Sequence, residues 1–163
     1  MMNFEERLQK AIDRGTDRRE GQADQAKSAA LSEDELKRLH SNHRLELSEH
    51  IEECTTKLVN HFPGFQSETI YGDRGWGVAI SRDDFNLNKS GQRDNSYSRL
   101  EVTIRPFESY HVVDLAAKGT IRNKEVFNRN HFEKIEDVDI TTYRKMIDVW
   151  VLEFAELYAA NST

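Results

Sequence analysis

The chain of 163 residues has one cysteine and two prolines, and aromatic residues make up only 9% of it. A lone cysteine, Cys54, has no partner for an internal disulfide, which excludes a disulfide scaffold and fits a reducing compartment. No apolar run approaches the ~20 residues that a bilayer span needs. The opening stretch MMNFEERLQKAIDR mixes acids and bases without an apolar centre, unlike a signal or transit peptide. The expected location is cytoplasmic, with no membrane partner. A basic segment is also missing. Residues 1–61 carry 13 acids and 10 bases, residues 62–137 carry 12 and 11, and residues 138–163 carry four and two. A thin acidic excess spread along the whole chain argues against bulk attraction to nucleic acid or to an anionic surface.

Hydrophobic residues reach 37%, below the usual 45–50%, and charged residues 32%. At this length the chain supports one domain with an arm, not two full domains. The low apolar share predicts a globular core joined to a polar segment that cannot build one. Phe4, Leu8, Ala11 and Ile12 fall at helical spacing, with Gly15 as the expected stop. Thr16 to Ala30 reads TDRREGQADQAKSAA, without a large apolar residue. Residues 1–31 are therefore expected to be an amphipathic arm on a flexible linker, and residues 32–163 a single α+β domain.

Ser32 followed by Glu35 fits a capping box, with Glu33 and Asp34 favoured by the helix dipole. Leu36, Leu39, Leu47, Ile51, Cys54, Leu58 and Phe62 then recur at helical spacing as far as Pro63-Gly64, predicting a helix of about thirty residues. Beyond Pro63 the period becomes two. Trp76, Val78 and Ile80 mark one strand, and Leu100, Val102 and Ile104 another that Pro106 ends. Residues 110–117 read as its antiparallel return, and 120–127 as a further strand or a hairpin turning at Asn123-Lys124. Residues 86–96 read as a long polar loop. Asp139 or Thr141 can cap a last helix whose stripe runs Tyr143, Met146, Ile147, Trp150, Val151, Phe154, Leu157 and Tyr158. The predicted fold is α+β: an antiparallel sheet of four to five strands, with a long N-terminal helix and a C-terminal amphipathic helix packed on it.

Five features invite a functional reading. The glycines of YGDRGWG (71–77) are spaced G-x-x-G-x-G, but a strand follows them, and no Lys-Ser or Lys-Thr pair does. A turn between strands explains them better than a phosphate loop. His40, His43, His50 and His61 lie within roughly 80° of arc on the long helix, on the side of its leucines. Imidazoles stacked on a helix can bind metal. There is no H-E-x-x-H, however, and none of these four histidines follows a glutamate by three, so a half-buried seam is the leading reading. Cys54 reads as a small core residue. The polar strand face carries Arg99, Glu101, Thr103 and Arg105 with Asp114 nearby, but no interleaved aromatic, which favours a solvated face over an RNA platform. Ser109, His111, Asp114 and His131 make a conceivable hydrolytic set without a G-x-S-x-G to support it.

These features point to a non-enzymatic protein-interaction or adaptor module, expected to be a homodimer, with neither catalytic residue nor cofactor nor metal ligand assigned. Its expected contact residues are Phe4, Leu8 and Ile12 on the arm, His43 and His50 on the long helix, and Arg99 and Arg105 on the sheet. The alternatives are a metal-binding protein or small enzyme built on the histidine-bearing helix, and an RNA-binding sheet. Association is expected along the long helix, with histidines from both copies in the seam.

Overall fold

The computed structural model describes residues 3–87, 91 and 93–161, and the side chains of these apart from residues 23–31, 86, 87, 93 and 94. The elements run α1 (Phe4–His61), β1 (Gln66–Ile70), β2 (Trp76–Leu87), β3 (Arg93–Ile104), β4 (Val112–Ile121), β5 (Lys124–Lys134) and α2 (Ile140–Asn161). Single 3₁₀ turns stand at Gly72–Arg74 and Ile135–Asp137. The fold is α+β, as expected. By contact density the chain divides into Met1–Arg38 and Leu39–Thr163.

The sheet is an antiparallel meander in the order β1-β2-β3-β4-β5, the outcome expected when short connections pair consecutive strands. Register sets one dry face, because opposed residues share a side. Val78 opposes Val102, Ile80 opposes Leu100, Val102 opposes Ala117 and Ile104 opposes Leu115, and all of these are buried. α2 lies against β4 and buries Tyr143, Ile147, Trp150, Val151, Phe154 and Tyr158. The Tyr143 hydroxyl donates to the Val113 carbonyl at 2.7 Å, which satisfies the phenol inside the core. Within the Leu39–His61 part of α1, Leu47, Ile51 and Leu58 are buried. That part runs beside α2, with Glu46 near Arg144 (3.9 Å) and His50 bonded to Asp148. Asp139 caps α2: its carboxylate accepts from the Thr141 amide at 3.0 Å and from the Thr142 hydroxyl at 3.2 Å.

The structure departs from the sequence reading in four places. α1 continues through Gly15 and through Ser32, so neither a stop nor a cap exists there. One glycine costs a helix only about 1 kcal/mol, and the surrounding Arg, Gln, Ala and Lys residues are good helix formers. The polar loop at 86–96 contracts, since β2 extends to Leu87 and β3 begins at Arg93; residues 88–90 and 92 lie outside the described residues. The hairpin after β4 turns at Arg122-Asn123, one residue earlier than expected. Both have positive φ (49° and 70°), the signature of a tight two-residue turn whose twist matches the strands. Asn123 also ties this tip to β3, taking the Tyr97 amide and giving its own to the Asn95 carbonyl, both at 2.9 Å. Finally, β5 runs on to Lys134, beyond the 120–127 window.

Candidate functional site

The YGDRGWG segment is structural. Gly72–Arg74 forms the 3₁₀ turn between β1 and β2. A Cβ on Gly75 would stand 2.5 Å from the Ile104 carbonyl oxygen, and Gly75 has φ +102°. A Cβ on Gly77 would stand 2.0 Å from the Val102 carbonyl oxygen. These glycines let β2 close onto β3, and no helix follows to receive an anion.

The arm residues are exposed: Phe4 by 75%, Leu8 by 47% and Ile12 by 53%. The helix histidines take separate surroundings. His40 is buried, edge-on to Phe107 at 5.7 Å, and burial holds its pKa below the ordinary value against the opposing backbone hydrogen bond at Arg105. His43 is half-buried, and His61 is exposed with Nδ1 donating to its own Lys57 carbonyl at 3.1 Å. His50 turns to α2. His40 and His50 are thus engaged inside their own chain.

The sheet arginines are partnered by acids. Arg99 lies 3.3 Å from Glu101 and 3.7 Å from Glu68, and Arg105 lies 3.5 Å from Asp114. Alternating charge of this kind offers little net field to a phosphate backbone. The sheet parts two members of the hydrolytic set. Asp114 opposes Phe132 on the wet face, whereas His131 opposes Leu115 on the dry face and meets Tyr143 edge-on at 5.2 Å.

The densest polar constellation is one the sequence reading missed. His50 Nε2 donates to Asp148 Oδ1 at 2.7 Å, Cys54 Sγ donates to the same oxygen at 3.3 Å, and Sγ and Nε2 are 3.5 Å apart. Among the described residues, these are the His, Cys, Asp and Glu side chains whose ligand atoms converge. A single carboxylate oxygen receives both donors, so His50 Nε2 carries a proton and is not the base a thiol needs. Burial first, and then Asp148, push the Cys54 thiol up to about 12, which keeps it protonated at neutral pH. As it stands, the trio is a hydrogen-bonded clasp between α1 and α2 rather than a nucleophile. Cys54 and Asp148 also border a groove of about 450 Å³, lined further by Leu58, Phe62, Val151 and Leu152. The i, i+4 spacing of His50 and Cys54 was visible in the sequence. Asp148 was not, because it lies 94 residues beyond Cys54 and only the packing of α2 delivers it.

No helix among the described residues is long and apolar enough to cross a membrane. Compared with known proteins, the chain matches no protein-family profile, no curated sequence and no solved structure.

Proposed function

We propose that the chain is a non-enzymatic interaction module that pairs with a second copy of itself through the first turns of α1. The observation that carries this reading is the row Phe4, Leu8 and Ile12. Three large apolar side chains, four residues apart and about half to three-quarters exposed, lie within roughly 80° of helical arc. Burying such a row is favourable at roughly 25 cal/mol per Å², and the arm is otherwise polar. A second copy laid antiparallel about a two-fold axis presents the same row, so like meets like. The non-enzymatic part rests on the separation of His131 from Asp114 by the sheet and on the protonated Cys54 thiol.

Sedimentation equilibrium of the full chain tests the pairing. The expected mass is twice the 19.0 kDa chain mass at high micromolar concentration, falling to one chain mass in a Leu8→Asp, Ile12→Asp double variant. Both positions are exposed, so the variant keeps its fold, which circular dichroism checks. A wild-type monomer up to about 200 µM, or a double variant that still pairs, refutes the reading; that concentration corresponds to an interaction weaker than about −5 kcal/mol.

A further inference from the structure

We propose that His50, Cys54 and Asp148 form a binding site for one zinc-class divalent cation, its fourth position open to the groove between α1 and α2. The donor set is one imidazole, one thiol and one carboxylate. That mixture suits borderline-soft zinc and is foreign to calcium or magnesium, which take all-oxygen shells.

The spacing fits as well as the chemistry. Zinc bonds of about 2.3 Å to sulfur and about 2.0–2.1 Å to nitrogen and oxygen, arranged tetrahedrally, place sulfur about 3.5 Å from either lighter donor. The same geometry places nitrogen about 3.3 Å from oxygen. The structure holds Cys54 Sγ 3.5 Å from His50 Nε2 and 3.3 Å from Asp148 Oδ1. Only the His50–Asp148 hydrogen bond, at 2.7 Å, must open, by about 0.6 Å, and the metal replaces it.

The atoms balance simply. The imidazole proton moves from Nε2 to Nδ1, the thiol proton leaves for solvent, and zinc bonds to nitrogen, thiolate and carboxylate with one proton released. Glu53, one turn along α1, has Oε2 4.0 Å from His50 Nδ1 and must close by about 1 Å to accept the relocated proton. A carboxylate behind a metal-bound imidazole fixes its tautomer and raises its basicity. Two features therefore serve a metal: a thiol at tetrahedral spacing from both of the other donors, and a carboxylate close to the far ring nitrogen. The groove lined by Cys54 and Asp148 supplies an entry path and room for water or a partner's donor as fourth ligand.

The test uses the full chain, reduced and freed of metal by a chelator, titrated with cobalt(II) and then zinc(II). The expected result is one cobalt per chain, a thiolate-to-cobalt charge-transfer band in the near ultraviolet, and visible bands of tetrahedral intensity. One equivalent of zinc should bleach both, and zinc uptake should release about one proton. Cys54→Ser should abolish the charge-transfer band, and both it and Asp148→Asn should weaken zinc by more than the roughly 100-fold that losing an outer partner costs. Glu53→Gln should cost about 10-fold. Circular dichroism separates lost affinity from lost fold, and the wild-type spectrum decides the matter without any variant. No band at saturating cobalt overturns the proposal. So does zinc affinity that survives both Cys54→Ser and His50→Gln, which would assign the ion to surface carboxylates such as Glu49 and Glu52.

Discussion

Replacing Phe154 by alanine measures how much of the Leu39–Thr163 unit hangs on the seam between α2 and the sheet. Phe154 is fully buried. Its ring stands edge-on to Phe65 at 6.3 Å and stacks on Tyr158 at 6.2 Å, with 13° between the planes. Deleting a buried phenylalanine costs roughly 3–5 kcal/mol in transfer and cavity terms. Each aromatic contact adds about 0.5–1.5 kcal/mol beyond buried area, which puts the expected loss in the upper half of that range, about 4–5 kcal/mol. At roughly 0.05–0.15 kcal/mol per residue the unit holds about 6–19 kcal/mol, so the variant should still fold, with its stability cut severely. Leu152, two residues earlier on the same helix, is 66% exposed and serves as the control; Leu152→Ala should change stability by no more than about 0.5 kcal/mol. Guanidinium unfolding followed by the fluorescence of Trp76 and Trp150 reads both variants, and equal m-values would license the comparison. A loss below about 1 kcal/mol for Phe154→Ala, or losses of equal size for the two variants, would mean that this face of α2 is not the buried one.

Gly77→Ala should destabilise by more than about 3 kcal/mol, because its Cβ would sit 2.0 Å from a backbone oxygen of β3 and cannot be accommodated without parting the strands; a thermal transition within 2 °C of wild type would refute this. Stability should fall as the pH drops below about 6.5, where the unfolded chain protonates His40 and the folded chain, whose His40 pKa is lowered by burial with help from Arg44 and His43, does not; the slope is at most about 1.4 kcal/mol per pH unit and ends at the folded pKa. His40→Leu should flatten that part of the profile in denaturation curves at pH 7.5 and 5.5, and identical slopes for variant and wild type would exclude His40 as the cause. Removing residues 1–31 should leave the cooperative transition within about 2 °C of wild type, since Leu47, Ile51, Leu58 and the buried side of the sheet all lie beyond the cut; loss of cooperativity would make the arm part of the core.

The sequence by itself determined the elements whose signal is local. Alternation at Val78 and Ile80 and at Leu100, Val102 and Ile104 fixed which side of each strand is dry, because a pleated strand sends successive side chains to opposite faces. The stripe from Tyr143 to Tyr158 marked α2, and Asp139 its cap, because helical periodicity and capping act within one or two turns. Propensity misled where burial was absent: α1 passes Gly15 and Ser32 because favourable helix formers on both sides outweigh one glycine and an available cap. Only the tertiary structure decided the rest. The turn at Arg122-Asn123 is held by Asn123 reaching β3, and the arginines of the wet face are answered by Glu68, Glu101 and Asp114. The clasp of His50, Cys54 and Asp148 exists because folding lays α2 beside the Leu39–His61 part of α1. Hydrogen bonds and metal bonds reach only a few ångströms, so a site assembled from residues 94 or more positions apart becomes visible once the chain has folded.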